Sequence, residues 1–427
     1  VQAFYLETGM GNTMKHLLRR TLGRQQYYWA KRYCPANHNN IQHQKMNINT
    51  VQSPVKLSYT QAAGQCSFNK KNFSASVPPW QGLVTSVQVC DATGVEGFPA
   101  VGFIQKKFLL AACLLLWCIT GFTQVSYPKE ITVAKDGSGH YKTIQEAVDA
   151  LRAYSPEHNI VHIKNGVYHE KVTIPAWVTN VSFIGESRDS TIITYEDYSG
   201  KFMSKDTTSN KRKYSTFNSY TVYVHGNDVT IENLTIQNAA GRVGQAVALH
   251  VDGDRFVIRN CNLLGNQDTL LTANDSSRQY YDNCFIEGTT DFIFGNATAV
   301  FTQCTIKSLS NSYITAASTM PRQQFGYVFI GCKLIAADEC KQEYLGRPWR
   351  AYAKVVFINC AMGKHIRPEG WHNWGKTENE ATTYYAEYNN TGEGAATGKR
   401  VPWSHVLTKK QAKQYTIARI FKDWQPE

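Results

Sequence analysis

Six segments of the chain, Val229–Ile236, Phe256–Leu263, Tyr280–Ile286, Val300–Ile306, Val328–Leu334 and Val356–Met362, share one pattern. Each has a β-rich run, a polar or glycine corner, and then a Cys or Leu that opens a second short strand. The aligned cysteines Cys261, Cys284, Cys304, Cys332 and Cys360 are 23, 20, 28 and 28 residues apart. Periods of this length, with short strands and no amphipathic helix between them, point to a parallel β-helix rather than a βαβ sheet. The expected fold class is therefore all-β, a right-handed parallel β-helix with long surface loops, whose rungs lie roughly 4.8 Å apart.

In such a coil the aligned cysteines read as a ladder of small apolar side chains stacked inside. A disulfide framework is the alternative, with Cys340, outside the frame, pairing to a neighbour. The spacing is not that of a zinc site. Earlier strands are expected at Ile131–Val133, Ile160–Ile163, Val172–Ile174 and Val181–Ile184. In Thr143–Arg152, Ile144, Ala147, Val148 and Leu151 recur at helical spacing, and Thr143 with Glu146 forms a capping-box pattern. A short helix there would cover the open end of the coil.

The formal charge of +12 invites a polyanion partner until it is located. Residues 1–124 hold twelve Lys or Arg against three acids, which leaves +3 for the rest. Bulk charge after Gln124 therefore calls for no nucleic acid. Lys106 and Lys107 precede an apolar run, Phe108–Phe122, that has the n-region and h-region of a secretory signal and is short for a membrane span. We read 106–124 as a signal peptide and 125–427 as the mature coil, secreted to the extracellular space or periplasm without stable membrane association. A single-pass anchor or a buried helix is the alternative for the apolar run. Residues 1–105 show no sustained period and are read as an over-extended gene model, against a disordered segment or small extra domain.

Two aspartates occupy one place in the repeat. Asp268 and Asp291 are separated by 23 residues, about one turn of the coil, so both can face one groove. A lone Asp is ordinarily a solvated turn residue or cap. Two in this frame suggest a paired-carboxylate site.

At this point the residues match a family. From about Tyr127 to Pro426 the chain resembles the pectin methylesterases, on five motifs in order: Gly166–Glu170, Gln245–Leu249, Gln267–Leu270, Asp291–Gly295 and Leu345–Trp349. The tail around Arg400–His405 is similar too. The leader, with no plant-type inhibitor domain before the coil, suggests a bacterial member. The resemblance implies a carboxylic ester hydrolase that removes C6 methyl esters from polygalacturonate, with methyl-esterified homogalacturonan (pectin) as partner. It implies no cofactor or metal, and a monomer. By resemblance Asp291 is the nucleophile that forms an acyl intermediate, and Asp268 is first general acid, then general base. Arg347 orients Asp291, Gln245 and Gln267 form an oxyanion hole, and Phe294, Trp349 and Thr221 contact the sugars. Leu271 departs from the aromatic residue that many relatives carry. The basic run Lys211–Lys213, in a polar loop over 196–219, is either a solvated face or a contact for the uronate polymer.

Rival readings share the coil. A polygalacturonase would also use carboxylates, but its Asp-Asp pair and Gly-His-Gly segment are missing from the sequence. A pectate lyase would need an acidic calcium cluster. A noncatalytic carbohydrate-binding coil and a thioesterase-type family member remain alternatives.

Overall fold

The repeated corner is what turns this chain into a coil. Asn233, Asn260, Asn283, Gln303, Gly331, Asn359 and Asn389 all take φ between 50° and 64°, the left-handed region that Gly and Asn tolerate best. Each bends the backbone from one strand into the next, as between Val229–Glu232 and Thr235–Asn238, or Phe256–Arg259 and Asn262–Leu264. The amide side chains also bond along the axis, Asn283 Nδ2 to Asn260 Oδ1 at 2.6 Å and Asn389 Nδ2 to Asn359 Oδ1 at 2.8 Å.

The computed structural model describes residues 127–203 and 212–426. The signal segment 106–124, the reading of residues 1–105 and Lys211 of the basic run lie outside the described residues. Among the described residues, eleven strands from Glu130–Val133 to His405–Val406 form one sheet and thirteen form a second that wraps the remaining sides. The strand pairings are parallel. Val257, Tyr280, Val300, Val328 and Val356 stand in one register row, so the alignment read from sequence is the alignment in space. The fold is a parallel β-helix.

Inside, Tyr281, Phe301, Phe329 and Phe357 stack in sequence at 4.4–4.5 Å between ring centroids. All four are fully buried, and burial of each is worth about 1.5–3 kcal/mol. The cysteine row runs beside them, buried and free of disulfides, as is Cys340. Thiols cap carbonyls of the preceding rung, Cys304 Sγ to Tyr281 O at 3.5 Å and Cys332 Sγ to Phe301 O at 3.4 Å. The ladder, rather than the disulfide framework, is what forms.

The helix Ile144–Ala150 has the expected capping box and buries Ile144, Ala147 and Val148. It stops short of Arg152 because Leu151 turns extended. Glu170, from the first family motif, caps it as well, accepting the N–H groups of Ile144 and Gln145 at 2.9 and 3.0 Å. That carboxylate serves the fold, at the positive end of a helix. Among the described residues no helix is long and apolar enough to cross a membrane.

Candidate active site

Register brings the two aspartates together. Leu270 pairs with Ile293 across adjacent rungs, and Asp268 N donates to Thr290 O at 3.1 Å, so Asp268 and Asp291 hold equivalent places one rung apart. Both have positive φ, 67° and 49°, an uncommon conformation that accumulates where side chains must be aimed rather than packed. They are only 7% and 5% exposed.

Their surroundings differ. Asp291 is gripped by Arg347 through a two-point fork, Nε to Oδ1 at 2.9 Å and Nη2 to Oδ2 at 2.7 Å. The guanidinium is itself clamped, with its carbon 3.8 Å from the centre of the Tyr313 ring and 3.7 Å from that of Trp374. Tyr313 in turn stacks on Tyr344 at 5.3 Å with an 11° interplanar angle. Among the described residues, Asp268 has no such partner. Burial first, and the charge of Asp291 second, raise its pKa to about 8, against Arg347. Burial also raises Asp291 above the ordinary carboxylate value, and the Arg347 fork opposes that rise. Proton loss is therefore ordered. Asp291 ionises first, and its charge then keeps the proton on Asp268 through neutrality.

Gln245 and Gln267 form an isolated parallel bridge on the approach to the same place. Ala246 N donates to Gln267 O at 3.0 Å, and Ser199 N, from the long loop, donates to Gln245 O at 2.8 Å. Both side chains are half-buried, and among the described residues neither side-chain amide has a hydrogen-bond partner, so their N–H groups are free for a ligand. A carboxylate held by a guanidinium, a neighbouring carboxylic acid and two unspent amides can together perform nucleophilic acyl transfer.

Phe294 meets Trp349 edge-on at 5.9 Å. It lies in an apolar strip with Val247, Leu271 and Ala316, flanked by Tyr220 and Trp374. Leu271 pairs directly with Phe294, so the departure at 271 keeps the strip apolar but removes a ring. Phe292 and Ile293 are fully buried. Thr221 does not join the strip: it is fully buried, and its hydroxyl donates to Gln237 O at 2.9 Å. The two rings that clamp Arg347 were missed. Tyr313 could have been found by register, one rung before Tyr344, whereas Trp374 comes from a turn with no period.

The family model described as Pectinesterase matches residues 130–423. The chain belongs to the pectinesterase family. It is 37% identical to Pectinesterase 31 of Arabidopsis thaliana, over 66% of this chain and 89% of the relative. It is 41% identical to a pectinesterase of Petunia integrifolia, over 69% and 80%. Of the probable pectinesterase/pectinesterase inhibitor 64 of Arabidopsis thaliana it spans about half, 51%, at 37% identity. These relatives are plant proteins and lend no support to the bacterial origin expected from the leader. Among solved structures, this pectinesterase resembles the pectin methylesterase from carrot with a TM-score of 0.62 and 37% identity, covering 69% of this chain and 94% of that one. With PemA from Erwinia chrysanthemi the values are 0.59 and 29%, covering 71% and 99%.

Proposed function

We propose that this pectinesterase is a secreted enzyme that hydrolyses the C6 methyl esters of homogalacturonan, leaving pectate and releasing methanol through an acyl-aspartate intermediate. The observation that carries the reading is the asymmetry of the carboxyl pair: one forked by a guanidinium, the other buried beside it with no cation of its own among the described residues.

An Asp291 oxygen attacks the ester carbonyl carbon, and the carbonyl oxygen takes up negative charge between the amides of Gln245 and Gln267. Collapse breaks the bond to the methoxy group, which receives the proton of Asp268 and leaves as methanol. Asp268, now a carboxylate, takes a proton from water. That oxygen attacks the acyl carbon, the bond to Asp291 breaks, and galacturonic acid ionises to solvent. The net change is one water consumed, with one methanol, one uronate and one proton released. Arg347 keeps Asp291 ionised and aimed, and a lysine would hold the charge without the fork. Phe294 and Trp349 offer apolar faces to the sugar rings beside the reacting ester.

The test is methanol release from methylated pectin with polymer length followed in parallel. Methanol without shortening of the chain supports the esterase. Shortening, or an unsaturated product absorbing in the ultraviolet, would replace it with a depolymerase. Gln245→Ala and Gln267→Ala should each lower kcat by about 100- to 1,000-fold, as loss of one oxyanion donor does. If both variants turn over at the wild-type rate, the oxyanion is held by other groups.

A further inference from the structure

Residues 309–312 leave the ladder. The strand Thr305–Ala317 pairs with Phe285–Gly295 as far as Ser308 opposite Gly288, and resumes with Tyr313 opposite Thr290. Four residues thus stand against one, and so large an irregularity frees backbone groups that need other partners. Residues Cys340–Glu343 supply them. Cys340 Sγ donates to Ser310 O at 3.3 Å, and the N–H groups of Lys341 and Gln342 donate to Asn311 Oδ1 at 2.6 and 2.8 Å. Glu343 Oε2 accepts the N–H of Ser312 at 2.5 Å.

Glu343 is fully buried, and among the described residues its second oxygen has no partner. Burial raises its pKa to about 9, against the pull of the Ser312 amide and the nearby Ser308 hydroxyl and with the charge of Asp291 adding. Its other titratable neighbour is Cys340, 3.9 Å from Oε2. At neutral pH it is an uncharged acid used as an acceptor.

The bond from Ser312 to Glu343 sits between the two parts that hold the reactive pair. Ser312 precedes Tyr313, the ring under Arg347, and Glu343 precedes Tyr344, the ring stacked on Tyr313. Ser312 Oγ is also 2.8 Å from Thr290 Oγ1, beside Asp291. We propose that Glu343 is a positioning residue for the Arg347–Asp291 pair: by closing the bulge at Ser312 it fixes Tyr313 under the guanidinium. The inference rests on Asp291 being the nucleophile.

The experiment compares kcat, KM and the pH dependence of kcat/KM in Glu343→Leu, Glu343→Gln, Tyr313→Leu and Asp291→Asn on methylated pectin. Glu343→Leu leaves the Ser312 N–H without an acceptor. It should lower kcat by about tenfold with KM nearly unchanged, and move the acid limb to higher pH, because a loosened guanidinium no longer offsets burial at Asp291. Glu343→Gln keeps shape and acceptor and should restore both. Its melting temperature should also exceed that of the wild type by a margin that grows with pH. The unfolded glutamate ionises near its model value of 4.5 while the folded one holds its proton to about 9, so wild-type stability falls through that window. Should Glu343→Leu fail to fold, Tyr313→Leu, at a half-buried position, should move the acid limb alike. An unmoved limb in whichever of these variants folds, or Glu343→Gln as impaired as Glu343→Leu, overturns the proposal. An inactive Asp291→Asn beside an unmoved limb defeats the positioning role alone, whereas turnover in Asp291→Asn defeats the nucleophile assignment beneath it.

Discussion

Asp291→Asn should lower methanol release from methylated pectin by about 10,000-fold or more, the scale of losing a nucleophile that works within a catalytic unit. Asparagine has nearly the shape of aspartate but cannot become the acyl carrier. Facing Arg347, its amide offers one acceptor where the carboxylate offers two, at 2.9 and 2.7 Å. The fold should survive, since Tyr313 and Trp374 still sandwich the guanidinium at 3.8 and 3.7 Å. The coil is held by the interior rings and the cysteine row, which the substitution does not touch. Circular dichroism should therefore show a cooperative melt within a few degrees of the wild type while the methanol assay is nearly silent. Asp291→Ala should be equally inactive, which excludes activity regained by deamidation of the asparagine. Wild-type-like turnover in either variant would remove Asp291 from the chemistry.

The coil was legible because its constraints are local and repeated. A corner with positive φ selects Asn or Gly, the next position must be small enough to stack, and both demands recur at each rung. The carboxyl pair was legible for the same reason, since one repeat of separation becomes one rung of height. What grips the pair was only half visible. Arg347 belongs to a sequence motif, but the rings around it come from other rungs and a turn, and only the register Tyr313 to Tyr344 could have revealed one of them. Thr221 is buried on the inside while its neighbour Tyr220 borders the apolar strip, as alternation along an extended chain requires. The bulge at 309–312 left a trace, the lengthening of the cysteine spacing from 20 to 28 residues after Cys304. Spacing shows that residues are added; it does not show that Glu343 closes over them.

Asp268→Asn should separate activity from stability, moving them in opposite directions. The loss of activity is expected at about 100- to 10,000-fold in kcat/KM, the usual range for a general acid, with acylation and deacylation both slowed because one carboxyl serves both steps. In the wild type the acid must carry its proton when methanol departs, so kcat/KM should fall as pH rises through about 8, where Asp268 ionises. That basic limb should be missing from the residual activity of the variant. Stability follows from the same proton. The folded pKa of Asp268 is raised from 3.8 to about 8, so its contribution is fully present below the unfolded value and is lost as pH rises through the folded one. Between those limits the unfolded chain releases a proton that the folded chain must keep, and the native state weakens accordingly. An asparagine has no proton to release. The melting temperature of Asp268→Asn should therefore exceed that of the wild type by a margin that widens from about pH 4 to about pH 8, measurable by scanning fluorimetry across that range. Unchanged rates of both half-reactions would rule out the acid and base role. A constant margin would mean that the site does not hold this carboxyl protonated, and the division of labour with Asp291 would then lack its electrostatic basis.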